Sequence, residues 1–288
     1  MLINLKTILK HAYENHYAVG AFNVPDFNFL EAILTAAEES NSPVIINIAE
    51  VHLKYVTLEN ICPSILAMAS RTKIPVALNF DHGSTHAGMM QAIRNGFTSV
   101  MFDGSKLDYS ENITKSQYWV KLCRPLNISV EAELGAVGGS EDGSLVSSAN
   151  PSLFTDPLQA GEFIQKTGID ALAVAIGNAH GKYQGQPKLD FERLDQINQI
   201  ARIPLVLHGG SGIPDNDLQT AIKLGISKIN FFTGMSQAAT ETTQTALNDN
   251  PELYDSYPEL IKKAKTNVKK VILEQMETFG SVNQAKEF

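Results

Sequence analysis

Ile74-Pro75-Val76-Ala77-Leu78-Asn79-Phe80-Asp81-His82-Gly83 shows the plan of the chain on a small scale. A proline closes one element, an apolar run follows, and the run breaks on polar residues and a glycine. Proline steers the residue before it out of helix, so Val76 to Phe80 begins as extended chain. Its length and near-continuous apolar character suit a strand buried on both faces. The same order recurs at Ser42-Pro43 before Val44 to Ala49 and at Ile203-Pro204 before Leu205 to Leu207. Working outward, Ala18 to Val24, Ser99 to Phe102, Ser129 to Leu134, Ala171 to Ile176 and Lys228 to Phe232 bring the strand-like runs to eight. Helical patterns separate them. Alternation of this kind implies a parallel sheet with helices outside, and eight strands favour closure into a (β/α)8 TIM barrel over an open doubly wound sheet.

At 288 residues the chain suits such a barrel as one domain, 1–288. Its longest loop, about 135–155, opens with glycines and carries Gly-Gly-Ser-Glu-Asp-Gly at 138–143; it is expected to act as a mobile lid over the site. The region of about 250–288 reads as a helical C-terminal extension used in oligomer contacts, in a homodimer or homotetramer. With 43% hydrophobic and 19% charged residues the composition is globular, which argues against disorder. The formal net charge of -8, with no run of basic residues, argues against nucleic acid and anionic membrane as partners and leaves small molecules as the expected ligands. Cys62 and Cys123 have no metal-site or redox spacing, and the start of the chain lacks a signal-peptide pattern; a cytoplasmic location is expected.

Chemistry in such barrels sits beyond the C-terminal ends of the strands. Those ends carry Asn23, Asp81, His82, Asp103, Glu131, Glu133, His180, His208 and Asn230. Three histidines at separate strand ends suit a catalytic Zn2+ with an open position, with Co2+ or Mn2+ as alternatives. Asp81, next to His82, suits a general acid or base. Gly209-Gly-Ser-Gly212 offers a nest of backbone N–H groups for a phosphate, although a plain strand-to-helix turn would also need glycine there. Glu131 and Glu133 share strand parity, so at least one is expected to orient a ligand histidine. His86 reads as a surface residue, and His11, His16 and His52 are assigned no role.

In order and spacing the chain resembles the class II ketose-bisphosphate aldolases, the zinc-dependent family that includes fructose- and tagatose-bisphosphate aldolases. The likeness runs from Ala21-Phe-Asn-Val24 through Phe80-Asp-His-Gly83, Gly96-Phe-Thr-Ser-Val-Met-Phe-Asp103, Ser129-Val-Glu-Ala-Glu-Leu-Gly135, Ala179-His-Gly181, Pro187-Lys-Leu-Asp-Phe191 and Leu205-Val-Leu-His-Gly209 to Lys228-Ile-Asn230. The resemblance implies reversible aldol cleavage of a ketose 1,6-bisphosphate, or a related ketose 1-phosphate, to dihydroxyacetone phosphate and an aldehyde. It implies that His82, His180 and His208 bind zinc and that Asp81 works on the C4 hydroxyl. It gives the dihydroxyacetone phosphate half to Gly181, Gly209, Ser211, Asn230 and Thr233, with Asn23 beside them at the barrel mouth. Asp103 and Glu133 match an alternative metal site, and Glu141 the lid glutamate that exchanges the C3 proton. A monovalent cation, Na+ or K+, is compatible with the family.

Two places depart from the family pattern. After Asn230 the chain reads Phe231-Phe-Thr-Gly-Met-Ser236 where small or acidic residues and a Thr-Glu or Thr-Asp pair are usual, and Ala49-Glu50 replaces a hydroxyl residue. Both are expected near the aldehyde half of the substrate, with Phe231 or Phe232 narrowing the pocket. Lys54 and Lys182 are the cations offered to a distal phosphate or carboxylate. The rival readings are a metal-dependent phosphosugar epimerase or isomerase, and a noncatalytic subunit that supports a partner aldolase.

Overall fold

The computed structural model describes residues 1–139, 145–146 and 150–288. Eight parallel strands close into a barrel: β1 (Val19–Asn23), β2 (Val44–Ala49), β3 (Val76–Gly83), β4 (Ser99–Phe102), β5 (Ser129–Leu134), β6 (Ala171–Val174), β7 (Leu205–Leu207) and β8 (Ile226–Phe231). Each pairs with its neighbours in sequence, and β1 pairs with β8 through Val19↔Lys228 and Ala21↔Asn230. The sequence reading placed β8 two residues late and ended β3 at Phe80. β3 in fact continues to Gly83, with a register shift between Phe80 and Gly83 and a left-handed His82 (φ 49°). Most non-glycine side chains avoid that conformation, and it is held here at a strand end that faces the site.

The helices are α1 (Leu5–Glu14), α2 (Phe27–Glu39), α3 (Leu58–Arg71), α4 (His86–Arg94), α5 (Tyr109–Cys123), α6 (Pro157–Thr167), α7 (Phe191–Ala201), α8 (Asp215–Lys223), α9 (Thr233–Asp249) and α10 (Tyr257–Thr278). α2 to α9 follow β1 to β8 in turn, and their apolar faces build the core outside the sheet. α1 precedes the first strand and plugs the N-terminal end of the barrel. Its Leu5, Ile8, Leu9 and Ala12 meet the inward-pointing Val19, Ala21, Ile45, Ala77 and Val206. Leu9 is fully buried in this plug. Leu9→Ala is therefore expected to destabilise the protein by about 2–5 kcal/mol, read from the urea midpoint.

Because side chains alternate along a strand, the positions that carry this apolar plug carry the site one or two steps further on. Above Ala21, Ile45 and Ala77 come Asn23, Asn47 and Asn79, which stand side by side in register. Asn79 Nδ2 donates to Asn47 Oδ1 at 2.8 Å, and Asn47 Nδ2 donates to Asn23 Oδ1 at 3.2 Å. The barrel is thus apolar at its base and polar at its mouth. The C-terminal region is a short turn, α10 and a final turn: α10 packs on α2 and α9, with Lys265–Glu31 and Lys269–Glu39 pairs at 2.8 Å. Among the described residues no helix is long and apolar enough to cross a membrane.

Candidate active site

His82 ends β3, His208 follows β7, and His180 sits in the loop after β6, where Ala179–His180 pairs with Gly138–Gly139. Three nitrogens converge. His82 Nε2 lies 3.2 Å from His180 Nε2 and 2.8 Å from His208 Nδ1, and His180 Nε2 lies 3.3 Å from His208 Nδ1. The outer faces fix the tautomers. His82 Nδ1 is 3.0 Å from Asp103 Oδ2 and His208 Nε2 is 3.2 Å from Glu131 Oε1, so each ring donates outward and turns a lone pair to the centre. Burial first, and His82 second, drive the His180 and His208 pKa values well below the usual range, leaving neutral imidazoles. Three lone pairs at such distances suit a shared cation: ligands at ~2.0–2.1 Å on a tetrahedron stand ~3.3 Å apart.

Acids surround the triangle. Asp81 is fully buried, accepts from Asn230 Nδ2 at 3.0 Å and has Lys228 Nζ 3.9 Å away. Burial alone would raise its pKa, but His82 and Lys228 outweigh that and hold it below the usual value. Lys228 itself is fully buried and pairs with Glu131 at 2.7 Å. Asp103 is likewise held low: hydrogen bonds from His82 and Ser105 overcome its burial. Glu133 is pushed up to about 8, by burial and then by Asp103. Its Oε1 accepts from Val137 N at 3.1 Å, while Oε2 is a buried acceptor without a donor. His82, Asp103 and Glu133 form a second group with metal-ligand spacing that shares His82 with the first.

Two cavities flank the histidines. Asn23, His180, Gly181, Gly209, Ser211, Asn230, Phe231, Phe232 and Thr233 line a narrow pocket. Gly209 (φ 66°) belongs there by necessity, since a Cβ would lie 2.0 Å from the Ala179 carbonyl oxygen. Thr233 opens α9, and Ser211 Oγ accepts from Gly234 N at 3.0 Å, which aims the start of that helix at the pocket. The other cavity is a cleft of ≈ 480 Å³ lined by residues that include Glu50, His82, Ser84, Thr85, Asp103, Ser105, Lys106, Glu133 and His180. A larger groove of ≈ 770 Å³ between α9 and α10 lies away from the histidines.

The matching family model is described as "Fructose-bisphosphate aldolase class-II" and covers residues 3–284. The chain belongs to the class II fructose-bisphosphate aldolase family. It is similar, at 39% identity with 99% of each chain covered, to proteins named fructose-bisphosphate aldolase from Staphylococcus aureus and Geobacillus stearothermophilus. The X-ray crystal structure of the YdjI aldolase from Escherichia coli K12 superposes with a TM-score of 0.88 at 36% identity, covering 99% of this chain and 100% of that one. This class II aldolase brings all the site residues read from the sequence together, except Glu141, which lies outside the described residues. The ends of the loop that carries Glu141 are pinned: Ala136 N donates to Leu153 O at 2.9 Å, and Thr155 Oγ1 donates to Leu134 O.

Several contacts were not readable in advance. Lys228 and Lys106 were missed, whereas Lys54, which lies over the Tyr55 ring, and Lys182 are absent from the lining of both cavities. His52 is buried, 3.4 Å from Asn23 Nδ2, with its ring 4.5 Å from that of Phe232. The loop after β2 therefore packs on the loop after β8 through this pair. Phe231 and Phe232 both line the narrow pocket, and the Phe231 ring also meets that of Phe22 at 6.3 Å. Tyr183 OH accepts from Ala179 N at 2.8 Å and donates to Gly209 O at 3.1 Å, tying the His180 loop to the His208 loop.

Proposed function

We propose that this class II aldolase is zinc-dependent and reversibly cleaves a ketose 1-phosphate, of the fructose- or tagatose-bisphosphate type or a related kind, to dihydroxyacetone phosphate and an aldehyde. The observation that carries the reading is the triangle of His82, His180 and His208 nitrogens with the buried Asp81 carboxylate beside it. A divalent metal held there supplies Lewis-acid polarisation of the ketone and stabilises the negative charge that develops during cleavage. The same residue set argues against a noncatalytic subunit, which has no chemical use for it.

The chain's own groups divide the remaining work. Asp81 takes the proton of the C4 hydroxyl as the C3–C4 bond breaks and the aldehyde departs. Asn230 Nδ2 fixes the orientation of that carboxylate at 3.0 Å. Backbone N–H groups of the Gly209–Gly212 turn and the start of α9, with Gly181, Ser211 and Thr233, hold the phosphate in the narrow pocket. Asn23 and Asn230 orient the hydroxyl groups of the same half. Glu141 is assigned from the sequence to return the proton to C3. Asp103 and Glu133 serve an alternative metal position, Co2+ or Mn2+ are the alternatives to Zn2+ at the three histidines, and a Na+ or K+ ion is compatible with the same proposal. A homodimer or homotetramer in the cytoplasm belongs to the same proposal.

Proton exchange at C3 of dihydroxyacetone phosphate in D2O, followed by NMR, tests it without knowledge of the aldehyde. Zinc-loaded protein should exchange one C3 hydrogen stereospecifically, and prior chelation should abolish the exchange. Folded, zinc-loaded protein that exchanges neither hydrogen would sink the reading.

A further inference from the structure

Resting on the aldolase reading above, we propose that the site selects ketose 1-phosphates whose far end is uncharged, so that the aldehyde released is a short neutral hydroxyaldehyde rather than a phosphorylated one. The narrow pocket takes the one phosphate, and the cleft on the other side of His82 and His180 must take the aldehyde half. Among its described lining residues Glu50 and Asp103 are carboxylates and Lys106, exposed at the rim, is the single cation. A terminal phosphate would bring ~1.5–2 further negative charges into this field.

Backbone donors do not make up the difference. The turn that leads into α4 borders the cleft and its N–H groups are the natural seat for a second anion, but Glu50 already occupies those of Ser84 and Thr85. Glu50 Oε2 accepts from Ser84 N and Ser84 Oγ at 2.7 Å each and from Thr85 N at 3.3 Å, and Oε1 accepts from Thr85 Oγ1. The start of α9, by contrast, meets no carboxylate among the described contacts, only the Ser211 hydroxyl at Gly234 N, and opens on the narrow pocket. One helix end is offered to substrate and the other is closed by the chain's own carboxylate. The hydroxyl groups of the cleft point the same way. Ser84 and Ser105 donate to Glu50 and Asp103, which leaves their lone pairs as acceptors. A cleft rich in acceptors matches sugar hydroxyls, which bring donors, and mismatches a phosphate dianion, which brings acceptors alone.

The test is aldol addition by zinc-loaded protein, with dihydroxyacetone phosphate fixed and racemic glyceraldehyde compared with racemic glyceraldehyde 3-phosphate. The expected kcat/KM favours glyceraldehyde by tenfold or more. The ratio should shrink as salt is raised, because the discrimination is electrostatic. Val51→Arg, which places a cation in the cleft wall, should move the ratio toward the phosphorylated aldehyde by several fold, an effect that mere damage to the wall would not produce. A preference below tenfold, or one for the phosphorylated aldehyde, overturns the inference while leaving the aldolase reading intact wherever C3 exchange persists. Absence of exchange would remove both.

Discussion

Asp81→Asn is expected to lower kcat for ketose cleavage by ~10²–10⁴-fold, the usual worth of a positioned general base. The loss should be selective. Proton exchange at C3 of dihydroxyacetone phosphate does not involve the C4 hydroxyl, so the variant should keep exchange, and it should also keep zinc, since Asp81 is not one of the three converging imidazoles. The substitution preserves shape. An asparagine can turn its carbonyl oxygen to Asn230 Nδ2, replacing the 3.0 Å contact, and Lys228 keeps Glu131 at 2.7 Å. Stopped assays of cleavage and NMR exchange on the same preparation separate the roles. Loss of both activities together would mean that Asp81 maintains the metal site rather than handling the C4 proton. Unchanged cleavage would remove it from the chemistry.

The histidine triad was legible because His82 and His208 break apolar runs where barrel strands end, at the mouth where strand ends converge, and His180 joins them from the loop after β6 rather than from the strand end itself. The glycine turn that borders the narrow pocket was legible for a related reason: Gly209 must adopt positive φ beside a carbonyl group, and only glycine fits there. What stayed hidden depends on partners distant in sequence. Lys228 looked like the polar start of a strand, yet it points inward on the same face as Asn230 and is buried because Glu131, 97 residues earlier, receives its ammonium group. Nothing local to β8 announces that pairing. His52 carried no signal of its own, since its burial comes from Asn23 on β1 and Phe232 beyond β8. Lys54 and Lys182 lie outside the lining of both cavities, since position along the chain does not fix where a long side chain points, and Lys54 settles on Tyr55.

Lys228→Met should then be the most destabilising single change at the site, about 3–5 kcal/mol by urea denaturation. Methionine matches the length of the lysine stem, so the cost would not come from a cavity. It would come from Glu131, whose carboxylate is fully buried and would be left with His208 Nε2 at 3.2 Å as its one hydrogen-bond donor among the described contacts. Asp81, 3.9 Å from the lost ammonium group, would lose a countercharge as well. Glu131→Gln in the same background removes the unpaired charge yet keeps a carbonyl oxygen for His208, so the double variant should recover more than 1 kcal/mol relative to Lys228→Met alone. Glu131→Gln by itself should also destabilise, because it strands the buried ammonium group. A cycle in which the double variant is no more stable than Lys228→Met would show that packing, not charge, sets the cost. In the expected result, the ion pair exists to let an acid sit behind His208 inside the barrel, fixing the tautomer that turns Nδ1 toward the other two imidazoles.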